Sequence, residues 1–125
     1  MRGTLIFDGA CGFCTRTVGW LRRLDRRGRV ELSPYQRPGV LQAAGVSPAQ
    51  AAASVWWVGA DGRRASGAAA ANLALSAAIG VRLPMLVYRL TRRLQERLYR
   101  WVAANRYRLR GVTPHCSRYP GDCAG

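Results

Sequence analysis

The sequence predicts one α/β domain with additional helices at its carboxyl end. Its 125 residues suffice for one globular core, and a hydrophobic content of 49% argues against disorder. Short apolar runs typical of strands alternate with segments of helical periodicity, in the order β-α-β-(α)-β-β-α. No run of about 20 uncharged apolar residues is present, so we expect no transmembrane span.

The first strand, the first helix and the second strand are predicted from residues 4–34. Residues 4–8 form a short apolar run that ends at an Asp-Gly pair, which is typical of a buried strand entering a turn. A helix is expected from Cys14 to Gly28, followed by a strand at residues 29–33. The buried face of the helix is predicted by apolar residues at helical spacing: Val18, Trp20, Leu21 and Leu24.

The middle of the chain predicts short helices, a hairpin and a longer helix. Serine followed by proline at residues 47–48 is typical of a helix start, and Asp-Gly at residues 61–62 is typical of a hairpin turn. The alanine-rich segment before Gly80 favours a helix. The predicted elements are a short helix or turn at 38–45, a strand at 54–58, a short strand at 63–66 and a helix at 68–79.

The carboxyl third predicts two helical pieces and an irregular tail. Pro84 opens a helical region that continues to residue 110, and residues 111–125 show no periodicity. We expect a single domain over residues 1–125, with a core at 4–80, a helical extension at 84–110 and this tail. The stripe expected to be buried in the extension comprises Leu86, Leu90, Leu94, Leu98, Trp101 and Val102.

The formal net charge is +14, and all twenty basic residues are arginine. Such a charge attracts nucleic acid, anionic lipid or acidic proteins. The absence of lysine indicates a composition bias, however, so we expect weak, salt-sensitive binding to anionic surfaces and no specific nucleic-acid binding.

Residues 85–110 carry eight arginines against the single acid Glu96. Two interpretations stay open for this segment: the solvated face of a core helix, or a surface that binds lipid or nucleic acid. The apolar stripe of the same helices is expected to pack against the core, which favours the first interpretation.

A Cys-x-x-Cys motif lies where the first strand gives way to the first helix. Residues three apart on a helix share a face, so the sulfurs of Cys11 and Cys14 can approach bonding distance. Unpaired N–H groups and the helix dipole at the helix start stabilise a thiolate, which is the attacking species in disulfide exchange. We therefore predict an accessible nucleophile at Cys11, a less exposed resolving thiol at Cys14, and substrate contacts at Gly12 and Phe13.

Two other interpretations of the motif stay open. Cys116 and Cys123 could complete a zinc site, although six residues separate them where zinc ligands usually have two to four between them. The motif could also be unreactive. The redox interpretation is favoured and requires no cofactor and no metal. The alternative function is a metal-binding or basic-surface adaptor without redox turnover.

The expected location is cytoplasmic. The first residues, MRGTLIFDG, lack the apolar stretch and the cleavage site of a secretory signal. A cytoplasmic chain keeps its thiols reduced, so its cysteines are more often catalytic or metal-binding than structural.

Two segments resemble the DCC family of predicted thiol–disulfide oxidoreductases. Residues 7–14 (FDGACGFC) look like the family's opening Asp-Gly-x-Cys-x-x-Cys motif, and residues 104–108 (ANRYR) followed by Gly111 look like its Asn-Arg-Tyr-Arg signature. The resemblance spans residues 4–116 and implies a thioredoxin-like fold, a mixed four-stranded sheet flanked by helices. It also implies exchange with a protein or small-molecule disulfide or thiol. Where thioredoxins place a cis-proline opposite the dithiol, this chain has Ser54, which we expect in the substrate groove.

Asp8 and the C-terminal signature are further candidates for the site. Asp8 either forms an Asx-type turn or, with a raised pKa at the end of a buried strand, relays a proton to or from Cys14. Asn105, Arg106 and Tyr107 either fasten their helix to the domain or line the groove near Cys11.

The tail contributes the last candidates. His115 is expected at the surface, because sequence adjacency to a cysteine does not create a catalytic pair. The Pro-Gly turn at residues 120–121 can bring Cys116 and Cys123 close enough for a disulfide. We predict a flexible, exposed tail whose Cys116 and Cys123 act as a redox relay for the Cys-x-x-Cys pair, with two idle surface thiols as the alternative.

Overall fold

The computed structural model describes residues 2–123 and shows a four-stranded mixed sheet with helices around it. The strands are β1 (Gly3–Phe7), β2 (Val30–Pro34), β3 (Trp56–Gly59) and β4 (Arg64–Ser66), in the sheet order β2-β1-β3-β4. Strand β1 runs parallel to β2 and antiparallel to β3, and β4 pairs antiparallel with β3. The predicted α/β class with a thioredoxin-like mixed sheet is confirmed.

Strand β1 is buried on both faces of the sheet. Successive side chains of a strand alternate between faces, so Leu5 and Phe7 enter one apolar cluster and Ile6 enters the other. Phe7 is almost completely buried, and burying a side chain of this size contributes about 2 kcal/mol. The apolar run that predicted this strand therefore places the end of β1, where Asp8 follows, deep inside the protein.

Four helices surround the sheet. They are α1 (Gly12–Leu24), α2 (Val40–Ala44), α3 (Pro48–Ala53) and α4 (Gly67–Ile79). Ser47 caps α3 in a reciprocal capping box with Gln50, as the serine-proline start predicted. Helix α1 buries Val18 and Leu21, whereas Trp20 and Leu24, which were expected in the same buried face, are about half exposed.

The helical extension consists of α5 (Leu83–Leu90) and α6 (Arg92–Asn105). The prediction that its leucine stripe is buried is wrong: Leu86, Leu90, Leu94, Leu98 and Trp101 are all exposed. Helix α6 instead attaches through polar side chains. Tyr99 Oη accepts a hydrogen bond from the Val55 backbone N–H at 2.9 Å, and Gln95 Oε1 accepts one from the Asn72 amide at 2.7 Å. These contacts turn the leucines outward.

The tail is more ordered than the sequence predicted. It contains a short helix, α7 (His115–Arg118), and a 3-10 helix over Pro120–Cys123. The Cys116 N–H donates to the Gly9 carbonyl at 2.9 Å, and the Val112 N–H donates to the Gly12 carbonyl at 3.2 Å. The tail therefore folds back on the loop between β1 and α1. Among residues 2–123, no helix combines the length and apolar character needed to cross a membrane.

Candidate active site

The Cys-x-x-Cys segment forms the start of α1. Cys11 is the N-cap of this helix, and its Sγ accepts a hydrogen bond from the Cys14 backbone N–H at 3.2 Å. Both cysteines carry free thiols. A backbone donor and the positive end of the helix dipole thus face the Cys11 sulfur.

The exposure of the two thiols is opposite to the prediction. Cys11 has 0% exposure, whereas Cys14 is only partly buried and lines a cavity. The tail packs against Gly12, the residue after Cys11: a Cβ on Gly12 would lie 2.5 Å from the Val112 carbonyl oxygen. Only glycine fits at this position, and the tail's approach to it could not be foreseen from the local sequence.

The pKa of the Cys14 thiol is raised to about 12. Burial is the largest cause, followed by the hydrogen bond with Cys11 and the charge of Cys11. The Arg106 guanidinium opposes this shift and the Asp8 carboxylate adds to it. Cys14 therefore keeps its proton at neutral pH.

The buried carboxylate of Asp8 is engaged on both oxygens. Oδ1 accepts hydrogen bonds from the Ala10 N–H at 2.9 Å and from the Gln36 amide at 2.8 Å. Oδ2 accepts the Tyr107 hydroxyl at 2.8 Å and forms an ion pair with Arg106 at 3.1 Å. The Ala10 contact is the predicted Asx-type turn. Gln36 was not anticipated, because nothing in its sequence context distinguishes it from a loop residue.

Arg106 and Tyr107 bring the C-terminal motif to the Cys-x-x-Cys motif. Arg106 also donates to the Ala52 carbonyl at 2.7 Å. Burial disfavours its charge, but the neighbouring negative groups, Asp8 first, outweigh this and leave its pKa raised. The hydrogen bond to Asp8 raises the pKa of Tyr107. Asn105, by contrast, donates only along its own helix, to the Trp101 carbonyl.

A largely apolar cavity of about 420 Å³ lies beside Cys14. Its walls come from α1, the sheet, α4 and α6, and they include Phe13, Leu98, Val102 and Arg106. Ser54 is not part of these walls. Its hydroxyl accepts a hydrogen bond from the Gly67 N–H at 2.8 Å, which links the end of α3 to the start of α4.

The two remaining cysteines form a disulfide, Cys116–Cys123, with a Cα–Cα distance of 5.5 Å. The segment is anchored by Asp122, which forms a bidentate ion pair with Arg37 and a hydrogen bond with His115 Nε2. These contacts, Arg37 first, lower the pKa of Asp122. The prediction that His115 lies at the surface is wrong: its ring is mostly buried and packs edge-on against Phe7.

The disulfide packs directly on the loop that precedes Cys11. A Cβ on Gly9 would lie 2.6 Å from Cys116 Sγ, so glycine is required for this approach. Within residues 2–123, no three His, Cys, Asp or Glu side chains are grouped so that they could hold a metal ion.

The fold and this dithiol segment define an α/β protein of thioredoxin-like architecture. The chain matches the family model of the DCC1-like thiol-disulfide oxidoreductases over residues 5–112 and belongs to that family. No curated protein and no solved structure gave a significant match.

Proposed function

We propose that the chain is a thiol–disulfide oxidoreductase whose redox pair is Cys11 and Cys14. The observation that carries the proposal is the hydrogen bond from the Cys14 N–H to Cys11 Sγ at the start of α1. It joins two free thiols at a helix N-terminus, where a thiolate is stabilised. Family membership supports the same reaction class.

In the reductive direction the thiolate of Cys11 attacks one sulfur of the substrate disulfide. A bond forms between Cys11 Sγ and that sulfur, the substrate S–S bond breaks, and the leaving thiolate takes up a proton. Cys14, after losing its proton, attacks Cys11 Sγ and releases the second substrate thiol. The substrate gains two electrons and two protons, and the chain is left with a Cys11–Cys14 disulfide.

The geometry of the site restricts the access of a substrate to Cys11. The cavity reaches Cys14, whereas Cys11 is fully buried and its neighbour Gly12 is covered by Val112. We propose that the substrate enters along the cavity, contacts Phe13, and reaches Cys11 when the tail moves from Gly12. Ser54 then affects the substrate groove only indirectly, through its hydrogen bond to the start of α4.

Asp8 is proposed as a positioning residue. Its four partners fix the carboxylate and hold Arg106 near the thiols, where the guanidinium lowers the pKa of Cys14 against the larger effect of burial. Because both oxygens are occupied, proton relay by Asp8 requires one of these contacts to open. We propose that Arg106, held in this way, stabilises the Cys14 thiolate that forms during resolution.

The tail disulfide is proposed as a second redox pair. It lies against Gly9, close in sequence to Cys11. In an exchange, Cys11 attacks Cys116 Sγ and Cys123 leaves as the thiolate; Cys14 then attacks Cys11, leaving a Cys11–Cys14 disulfide and a reduced tail. We propose a cytoplasmic location: the free thiols of Cys11 and Cys14 agree with it, whereas the Cys116–Cys123 disulfide is more typical of an oxidising compartment.

The proposal is tested by reduction of a small aromatic disulfide and of a disulfide-bonded protein. We expect Cys11→Ser to lower turnover by about a thousandfold or more, because the variant lacks the attacking sulfur. Cys14→Ser should accumulate a mixed disulfide on Cys11. The matched control is the double variant Cys116→Ser/Cys123→Ser, which retains the Cys-x-x-Cys pair.

The outcomes separate the roles of the two pairs. Full turnover in Cys11→Ser would overturn the proposal. If Cys116→Ser/Cys123→Ser turns over more slowly while its Cys11–Cys14 pair reacts normally in single turnover, the tail acts as a relay. If this variant turns over as fast as the wild type, the tail has no relay role.

A further inference from the structure

Helices α5 and α6 leave a row of large apolar side chains exposed, and this row is here named the outer face. On α6, Leu94, Leu98 and Trp101 follow one another at helical spacing and are all more than half exposed. On α5, Leu90 is 87% exposed. The residues of the outer face are Leu83, Leu86, Val87, Leu90, Leu94, Leu98 and Trp101.

Arginines border this apolar surface. Arg93, Arg97 and Arg100 are exposed and lie along one flank of the leucine strip on α6. The only acid between residues 81 and 110 is Glu96, and it is partly buried. Glu96 accepts the Tyr88 hydroxyl at 3.1 Å and lies against Gly67. Glu96 lies among the arginines of α6, but they outnumber it, so the outer face presents apolar groups and a net positive charge.

We propose that the outer face docks on an anionic membrane surface. Exposed leucines and a tryptophan next to arginines are the composition of an interfacial amphipathic helix, which lies in the headgroup plane. The leucines would enter the acyl boundary, Trp101 would lie at the headgroup level, and the arginines would pair with lipid phosphates. The mode is peripheral, consistent with the absence of any spanning helix within residues 2–123.

A second copy of the chain fits this surface less well. A twofold interface places the same patch on itself, so the flanking arginines of the two copies would be brought together and would outnumber Glu96 of each copy. Nucleic acid also fits less well. Phosphate binding would use the arginines but leave Leu90 and Leu94 exposed to water, whereas a bilayer accounts for both groups at once.

The proposal is tested by flotation of the full-length protein with vesicles of phosphatidylcholine containing about 30% phosphatidylglycerol, at about 0.15 M salt. Vesicles of pure phosphatidylcholine serve as the lipid control. Leu90→Ser/Leu94→Ser removes apolar groups that are 87% and 68% exposed, so we expect little effect on folding. The variant avoids Leu98, which also lines the cavity.

Two charge variants with the same net charge complete the design. Arg93→Gln/Arg97→Gln/Arg100→Gln neutralises the outer face. Arg22→Gln/Arg23→Gln/Arg26→Gln removes three exposed arginines from the last turn of α1 and from the turn that follows it. Circular dichroism and thermal unfolding of each variant confirm the fold.

We expect the wild type to bind the anionic vesicles only. The α6 triple arginine variant should bind them about a hundredfold more weakly, because each arginine contributes about fivefold to the affinity. The affinity of Leu90→Ser/Leu94→Ser for these vesicles should fall at least about tenfold, because insertion into the acyl region depends on apolar side chains. The α1 triple variant should change little.

Three results would overturn the proposal. The first is an equal loss in both arginine variants, which would show attraction by net charge alone. The second is unchanged vesicle binding in the leucine variant. The third is a dimer or a nucleic-acid complex that depends on the outer face while the anionic vesicles stay unbound.

Discussion

The two cysteine pairs of this chain have the same side-chain chemistry in opposite states. Cys11 and Cys14 are free thiols at the start of a thirteen-residue helix, whereas Cys116 and Cys123 are joined in a disulfide across a short turn. The first pair has a backbone N–H and a buried Asp8–Arg106 ion pair beside it. The second is held by the more exposed Arg37–Asp122 pair. The surroundings of each pair, more than its spacing, determine what its sulfurs can do.

The largest expected effect of these environments is on the reactivity of Cys14. Its pKa of about 12 means that the thiol dominates until the pH approaches that value. At pH 8 its thiolate fraction should be about a thousandfold lower than that of an ordinary cysteine with a pKa near 9. Alkylation of Cys14 by iodoacetamide, followed by peptide mass spectrometry, should therefore accelerate about tenfold per pH unit between about pH 8 and 11.

Cys11→Ser sharpens this prediction, because it removes the hydrogen bond and the charge that add to burial. The pKa of Cys14 should fall in that variant but stay above its ordinary value, since burial is the largest cause. Alkylation of wild-type Cys14 at pH 7 as fast as a free thiol would contradict the assigned environment.

The buried ion pair near the free thiols should contribute more to stability than any surface pair. Asp8→Asn leaves Arg106 buried without a compensating charge, and we expect the free energy of unfolding to fall by about 3 kcal/mol in denaturant titration. The matched control is Asp61→Asn, whose partner Arg63 is exposed at 3.6 Å and whose loss should cost less than about 0.5 kcal/mol. Equal losses in the two variants would show that the Asp8 network is not structural.

The anchoring of the tail should give the smallest effect. Asp122→Asn weakens the contacts to Arg37 and His115, so amide exchange at Val112 and Cys116 should accelerate about fivefold. The lowered pKa of Asp122 fixes the sign of the pH dependence: the stabilisation is present above the ordinary value of 3.8 and is lost as pH falls below it. Unchanged exchange in the variant would mean that the ion pair does not hold the tail.

Local sequence patterns predicted the elements that build the site. The apolar run of β1, the Asp-Gly turn and the helix start each depend on neighbouring residues. The structure has the strand and the turn close to their predicted positions, whereas α1 covers Gly12–Leu24 instead of the predicted residues 14–28. For Asn105, Arg106 and Tyr107 the sequence left two roles open, attachment of their helix or a position in the groove near Cys11. In the structure Arg106 and Tyr107 contact Asp8, and Arg106 also contacts the Ala52 carbonyl. The catalytic roles of these residues stay predictions.

Features that depend on distant segments could not be predicted. Helical periodicity located the leucine stripe of α6, but only the polar contacts of Tyr99 and Gln95 decide that the opposite side faces the domain. The burial of Cys11 likewise accompanies the packing of the tail on Gly12, about a hundred residues away in sequence. Polar contacts between distant segments, and a C-terminal tail that packs back on the domain, produce no periodic pattern in the sequence.

The central claim, that Cys11 and Cys14 form a reversible redox pair, is tested most directly by redox titration of the purified protein. The state of each cysteine is read by alkylation and mass spectrometry across a series of dithiol/disulfide buffers, with and without a metal chelator. We expect one two-electron transition that maps to a Cys11–Cys14 disulfide, is read separately from that of the Cys116–Cys123 pair, and has the same midpoint with chelator. Stoichiometric zinc on the cysteines, with no reversible Cys11–Cys14 disulfide in either condition, would contradict the account.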